Sequence, residues 1–242
     1  MCGCPLPPRT LALAACIFCA GAASAQGINQ FWADYSADYP FANKYLAEIE
    51  ASYQTLTSDK DKWRSYSLTP DFEVNITPHL DLMGQTLFSY TDQTATYSSF
   101  EVRPIFIAKY YFSPGKRIDP RLSIKYEHRM FHELDIDNWL ISNRFRVHGE
   151  VIVPINHESI FTDKLWYGLV EGEWFWLLDK NVKERFVNIT FVRMGIGYRL
   201  SYSLRFETFY IIQTTHNELD GSDATEGIVR IRIKHFLRKV GP

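Results

Sequence analysis

The chain is expected to be all-β: an antiparallel transmembrane β-barrel of about ten strands, with twelve as the alternative count, preceded by a cleavable signal peptide. Three observations predict this. The N-terminus has the layout of an export signal. Most of the remaining chain alternates polar and apolar residues with a period of two. No stretch reaches the roughly 20 apolar residues that a membrane-spanning helix needs.

The signal is read first. Arg9 is its one charge, an apolar run extends from Leu11 to Ala23, and Ala23-Ser24-Ala25 is a small-x-small cleavage site. Residues 1–25 are therefore assigned to the signal and residues 26–242 to one barrel domain. Cys2, Cys4, Cys16 and Cys19 all fall inside the signal, so the mature chain has no disulfide and no thiolate metal site. Leu13-Ala14-Ala15-Cys16 resembles a lipidation site, but the apolar run continues past it to the conventional cleavage site. Lys and Arg total 26 against 28 Asp and Glu, which is no basic footprint for nucleic acid.

The strands follow in order. In a strand, residues i and i+2 share a face. Lys44–Thr55 sets Glu48, Glu50, Ser52 and Gln54 against Ala47, Ile49, Ala51 and Tyr53. Trp63–Ile76 closes on Asp71, Glu73 and Asn75, and Leu80–Tyr90 alternates less cleanly. Phe100–Phe112 places Glu101, Arg103 and Lys109 opposite Val102, Phe106 and Ala108. Arg121–Met130 places Arg121, Lys125, Glu127 and Arg129 opposite Leu122, Ile124 and Tyr126. Ile141–Val153 is the clearest: Arg144, Arg146, His148 and Glu150 on one face, Phe145, Val147 and Val151 on the other. Trp166–Trp176, Arg185–Leu200, Leu204–Gln213 and Gly227–Leu237 complete ten. Parity slips before Arg193, where a β-bulge would restore the facing.

Phe31–Phe41 also alternates and would make eleven. An odd count is unusual for a bacterial barrel, so this segment is read as an N-terminal addition to ten wall strands. Thr77–His79 and Ser201–Ser203 read as tight periplasmic turns, and Thr91–Ser99 and Thr214–Glu226 as longer outer loops. A soluble β-sandwich would wet its polar face with mixed Lys, Thr, Ser and Glu. Here that face is rich in Arg and Glu, and the other carries aromatic and aliphatic residues on nearly every strand.

The alternation directs Glu48, Glu50, Arg144, Arg146, Glu150, Glu171, Glu173, Arg193, Arg199, Arg205, Glu207, Arg230 and Arg232 into the lumen. These are the candidate site residues. Arg pairs bidentately with carboxylates, and interior charges persist when paired. The arginines at 144, 146, 193, 199 and 230 are expected to meet Glu150, Glu171, Glu173 and Glu207. His128 and His132 would lie about 13 Å apart along a strand, too far for one metal. The nearest pairs for nucleophilic chemistry are His157 with Ser159, His148 with Glu150, and His216 with Asn217, none in a lipase-like motif. Acidic residues around Gly221 do not have the spacing of a calcium loop. Trp63, Trp139, Trp166, Trp174, Trp176 and Tyr198 are read as interface anchors. No cofactor, metal or catalytic residue is assigned.

The runs NRFRVHGEVIVPI, WYGLVEGEWFWLL and RFVNITFVRMGIGYRLSYSLRFETFYI resemble the DUF2490 family of predicted outer-membrane proteins. The matching residues are Asn143-Arg144-Phe145-Arg146, then Glu171 and Glu173, then Arg193-Met194-Gly195-Ile196-Gly197-Tyr198-Arg199, with Phe31-Trp32 near the start. The resemblance implies a barrel and no particular reaction. One departure is the C-terminus, where Phe236 is followed by six further residues, Leu237 to Pro242.

The expected function is a non-catalytic outer-membrane barrel with a charge-lined, largely filled lumen, in a structural or narrow transport role. The alternative is an outer-membrane enzyme acting on lipid or a surface polymer. Expected partners are outer-membrane lipid and, during insertion, the barrel-assembly machinery, with no nucleic acid. A monomer is expected.

Overall fold

The computed structural model of the protein describes residues 28–57, 63–179, 187–217 and 222–238. The assigned signal, residues 1–25, and the acidic residues Glu218 and Asp220 lie outside the described residues. Eleven strands follow one another: β1 (Ile28–Phe41), β2 (Tyr45–Leu56), β3 (Arg64–Thr77), β4 (Leu80–Asp92), β5 (Ser98–Tyr111), β6 (Asp119–Glu133), β7 (Asn138–Pro154), β8 (Leu165–Leu177), β9 (Val187–Ser201), β10 (Leu204–Asn217) and β11 (Ser222–Phe236). Each pairs with its sequence neighbours, and β1 pairs with β11 to close the barrel.

The strand count corrects the expectation of ten. Phe31–Phe41 belongs to a full wall strand, bonded to β2 on one side and β11 on the other. The cause is simple. A strand left with one free edge exposes a row of unpaired amides and carbonyls, and closure removes that edge. Chain direction reverses at each hairpin, so an odd number of strands brings the first and last together parallel. The β1–β11 seam is the one parallel pair, running from Ile28 opposite Gly227 to Asp38 opposite Phe236. The hairpin joining β1 to β2 was not legible as such. Ala42 and Asn43 both take φ of 50°, the left-handed geometry of a tight two-residue turn, without the glycine that usually signals it.

Two expected loops also shorten. Gln213 to Asn217 pair with Glu226 to Ser222, so the supposed Thr214–Glu226 loop is mostly hairpin. Thr91 and Ser99 likewise face each other across β4 and β5. Ladder hydrogen bonding continues there because polar Thr, Ser and Gln residues are compatible with strands as well as loops. The split into tight and long ends fails too. Residues 155–164 form a long connection at the same end as the tight turns after β3 and β9. The bulge expected just before Arg193 is not there: Thr190 to Arg193 pair without interruption, and the register shifts instead between Asn188 and Thr190.

Facing follows the alternation. The outer surface presents Phe106, Ile124, Ile141, Val170, Trp174, Ile196 and Ile231 among many exposed apolar side chains. The inner surface holds the charged residues, but not only those. Leu165, Tyr167, Leu169, Phe175, Phe191, Phe209, Ile211 and Ile228 form a buried apolar cluster inside, on β8 to β11. The charge-lined lumen expected from the alternation is therefore lined by apolar side chains as well in this sector.

The two inward glycines of the Arg193–Arg199 motif make room for this cluster. A Cβ on Gly195 would sit 2.4 Å from Cδ1 of Phe209, and one on Gly197 would sit 2.3 Å from Cζ of Tyr167. Each ring therefore lies flat across a neighbouring backbone. Gly197→Ala is expected to cost about 1–3 kcal/mol by overpacking, read as a lowered urea midpoint in detergent micelles. Gly84→Ala, where a Cβ meets nothing within 4 Å, should leave the midpoint nearly unchanged.

Candidate functional site

The inward charges are built up strand by strand from direct cross-strand register. Glu127 on β6 lies opposite Arg144 on β7, Glu171 on β8 opposite Arg193 on β9, and Glu207 on β10 opposite Arg232 on β11. Opposite charges directly across a ladder are held within reach by the backbone. The observed contacts follow: Arg144 to Glu127 at 2.5 Å, Arg193 to Glu171 at 2.8 Å, and Arg232 to Glu207 at 2.5 Å.

Several pairs join into one network. Glu127 has no exposed surface. It accepts from Arg144 and from Arg146, and Arg103 approaches it at 3.8 Å. Arg146 continues to Glu173 at 2.7 Å, and Lys125 meets the same carboxylate at 2.9 Å. On the other side Arg103 grips Glu101 through Nε and Nη2 at 2.8 and 2.6 Å, and Arg129 also donates to Glu101 at 2.6 Å. The chain from Arg129 to Lys125 thus spans β5 to β8. Lys109 reaches Glu73 at 2.8 Å past the intervening β4, and Lys234 reaches Glu48 at 3.2 Å past β1.

Guanidinium groups also stack on rings, which pair expectations did not include. Arg144 and Arg146 lie 4.9 and 4.8 Å from the Phe175 centroid, and Arg193 and Arg232 lie 5.3 and 5.0 Å from that of Phe209. Such contacts are stronger where water is excluded.

Four of the expected partnerships change. Arg144 takes Glu127, which lies on the inward parity of its strand but was not among the candidate residues. Glu150 takes Arg121, directly opposite it on β6, at 2.9 Å, while its register partner on β8 is the like-charged Glu171. Arg230 takes Asp34 across the parallel seam and approaches Glu50 at 3.5 Å. Arg199 donates to the carbonyl of Ile160 at 2.9 Å and lies 3.8 Å from Asp163, both on the 155–164 connection. Arg205, opposite Arg199 and Lys234 in register, lies over the Phe236 ring at 4.4 Å. These differences share one cause. Parity tells which face a residue is on, and only register tells which partner it meets.

His148, Glu150 and Glu171 bring their ligand atoms within 4.8 Å of one another. Both carboxylates are already bonded to Arg121 and Arg193, so a cation would compete with two guanidinium groups there. The geometry is that of an ion-pair cluster. Among the described residues no serine hydroxyl is hydrogen-bonded to a histidine. Ser159 instead accepts from the Phe161 amide at 3.2 Å, and His148 meets Glu171 at 3.2 Å.

Trp139, Trp166, Trp174 and Trp176 are exposed on the outer surface as expected for anchors. Trp63 is not: it is 7% exposed and lines a cavity inside the barrel mouth. That cavity, of about 170 Å³, lies at the end where β1 begins. A second, of about 380 Å³, lies at the opposite end under Ser159, Ile160 and Phe161. The two share no lining residue, and the charge network lies between them.

Glu127→Gln is expected to destabilise the barrel by about 3–5 kcal/mol, since it strips a buried partner from two arginines. Glu150→Gln, at a better hydrated pair, should cost about 1 kcal/mol or less. Unfolding midpoints of the two variants in the same micelles check the ranking.

No curated protein matches the chain. Residues 29–223 match the family described as Protein of unknown function (DUF2490), a span that runs from the start of β1 to the β10–β11 hairpin. The chain, a closed barrel of eleven strands with a paired-charge interior, belongs to the DUF2490 family.

Proposed function

We propose that this protein is an outer-membrane β-barrel of the Gram-negative envelope, exported through a Sec-type signal, whose filled lumen gives it a non-catalytic role rather than that of an open pore. The observation that carries the reading is the joined network of inward ions centred on Glu127. Charges so placed need partners, and long side chains paired along the inner wall of a narrow barrel leave little room for a water path.

Three further features support the membrane setting. Every strand has at least 12 residues, more than the roughly 9–11 that cross a bilayer. The outer surface is apolar on strand after strand. Aromatic groups cluster toward the ends of the wall, with Phe41, Tyr45 and Phe72 at one and His132 stacked on Trp139 at 4.4 Å at the other. The partners that follow are outer-membrane lipid and, during insertion, the barrel-assembly machinery.

The mature protein should therefore fractionate with outer membranes and migrate heat-modifiably in detergent gels. Recovery as a soluble periplasmic protein would overturn the membrane reading. In planar bilayers the wild type should show little or no steady conductance, and a wide, stable conductance would replace the filled-lumen reading with transport.

Facing has its own test. Ile231→Arg, on the outer wall, should cost about 2–4 kcal/mol if near the bilayer midplane. Arg205→Gln should cost less, because Arg205 rests on a ring rather than a carboxylate. Arg230→Gln is not an equivalent control, since it removes the cation bonded to buried Asp34. Equal folded yields for Ile231→Arg and Arg205→Gln in lipid vesicles would show that the faces are misassigned.

A further inference from the structure

We infer that the cavity at the mouth where β1 begins is a binding site for one neutral sugar ring. This goes beyond the filled-lumen reading and does not depend on it.

The lining has an unusual chemistry for this interior. Elsewhere the inward face is dominated by charged and apolar side chains, with scattered hydroxyls such as Ser36 and Ser123, but here amides and hydroxyls predominate, with two indoles. Trp32 and Trp63 supply broad apolar faces, and Gln54, Ser67 and Ser89 present neutral polar groups from β2, β3 and β4. Among the described residues, the only charged ones in the lining are Glu101 and Arg103, and they are bonded to each other, with Arg129 also on Glu101. They form a floor in which two guanidinium groups already share one carboxylate. An anionic ligand would have to displace Glu101 from these guanidinium groups and lose its own water, and a cationic ligand would meet their positive charge.

Two acceptors point to a ligand with hydroxyl donors. Gln93 and Gln213 are 4% and 2% exposed, and both line the cavity. The Oε1 atom of each is buried with no hydrogen-bond partner. Gln93 spends its amide on Ser99, donating to Oγ at 3.1 Å, so its carbonyl oxygen is held in place. The contrast with Gln30 is informative. It donates to Glu226 at 2.7 Å and accepts from Trp32 at 2.9 Å, so it is used on both sides and fixes the indole. Buried acceptors in native proteins are normally paired.

A pyranose fits these requirements. Its hydroxyls each donate and accept, as the surrounding amides and serines do. Its C–H faces are apolar and suit an indole. At about 170 Å³ the cavity is well below the roughly 300–1,000 Å³ of sites for larger ligands. That limits the occupant to a single ring or the terminal residue of a longer glycan.

The test uses the full mature protein in a detergent without a sugar headgroup. Glucose, galactose, N-acetylglucosamine and glucuronate are titrated while tryptophan emission and ligand saturation-transfer NMR are recorded. At least one neutral sugar should bind saturably, and glucuronate should bind more weakly than its neutral counterpart glucose. Gln213→Leu and Gln93→Leu should each weaken binding about tenfold, the effect of losing one buried hydrogen bond. Trp139→Phe, on the outer wall, should leave affinity unchanged. Gln54→Ala serves as a further pocket variant if a leucine variant loses the heat-modifiable band. Absence of saturable binding by all three neutral sugars overturns the inference. So does glucuronate binding as tightly as glucose, or affinity unaffected by the pocket variants that fold. Membrane fractionation and conductance report on the filled-lumen reading separately, so either proposal can fail alone.

Discussion

Glu127 has no surface exposed, yet two guanidinium groups bond to its carboxylate and a third lies at 3.8 Å. Much of the interior can be understood from that one constraint. A charge placed inside a closed sheet has lost its water, and only opposite charge and hydrogen bonds can replace it. Arg146 must then serve a second carboxylate, Glu173, which in turn holds Lys125. Glu127, Arg146 and Glu173 are each shared, so removing one exposes its neighbours to the same penalty. The network therefore constrains β5 to β8 against one another more than isolated surface pairs would.

The interior is also divided. On β8 to β11 it is an apolar cluster, packed tightly enough that Gly195 and Gly197 are needed for the rings of Phe209 and Tyr167. The arginines bridge the two sectors, with their charge on carboxylates and their flat faces on Phe175 and Phe209. Tyr167 shows the same dual use: its ring lies over Gly197 while its hydroxyl donates to Glu207 at 2.6 Å. Near the mouth where β1 begins, this arrangement gives way to neutral amides, hydroxyls and indoles. The change of chemistry along the lumen is what sets that cavity apart.

Closure imposes a further condition. The parallel seam between β1 and β11 brings Asp34 beside the arginines of the last strand, where Arg230 bonds to it. Ser52 of β2 donates to the same carboxylate at 2.6 Å. The seam is thus held by side chains as well as by backbone ladders. Its geometry also places the first residues of β1 at the opposite end of the barrel from the last residues of β11.

The sequence by itself determined the class and the facing. A period of two, repeated through strands such as β6 and β7, is a local property, and it separated Arg144 and Arg146 from Phe145 and Val147 without any tertiary information. It also placed Glu127 on the inward side of its strand, although its importance was not visible there. Pairing was decided only by the tertiary structure. Which carboxylate Arg144 meets depends on the register between β6 and β7, and which one Arg230 meets depends on a seam joining residues 196 positions apart. Trp63 reads as an interface anchor from composition, but its position immediately before β3 turns it inward, where it lines the same cavity as Trp32. The number of strands belongs to the same category. Whether Phe31–Phe41 joins the wall is settled by a partner at the far end of the chain, because the free edges of β2 and β11 both need one.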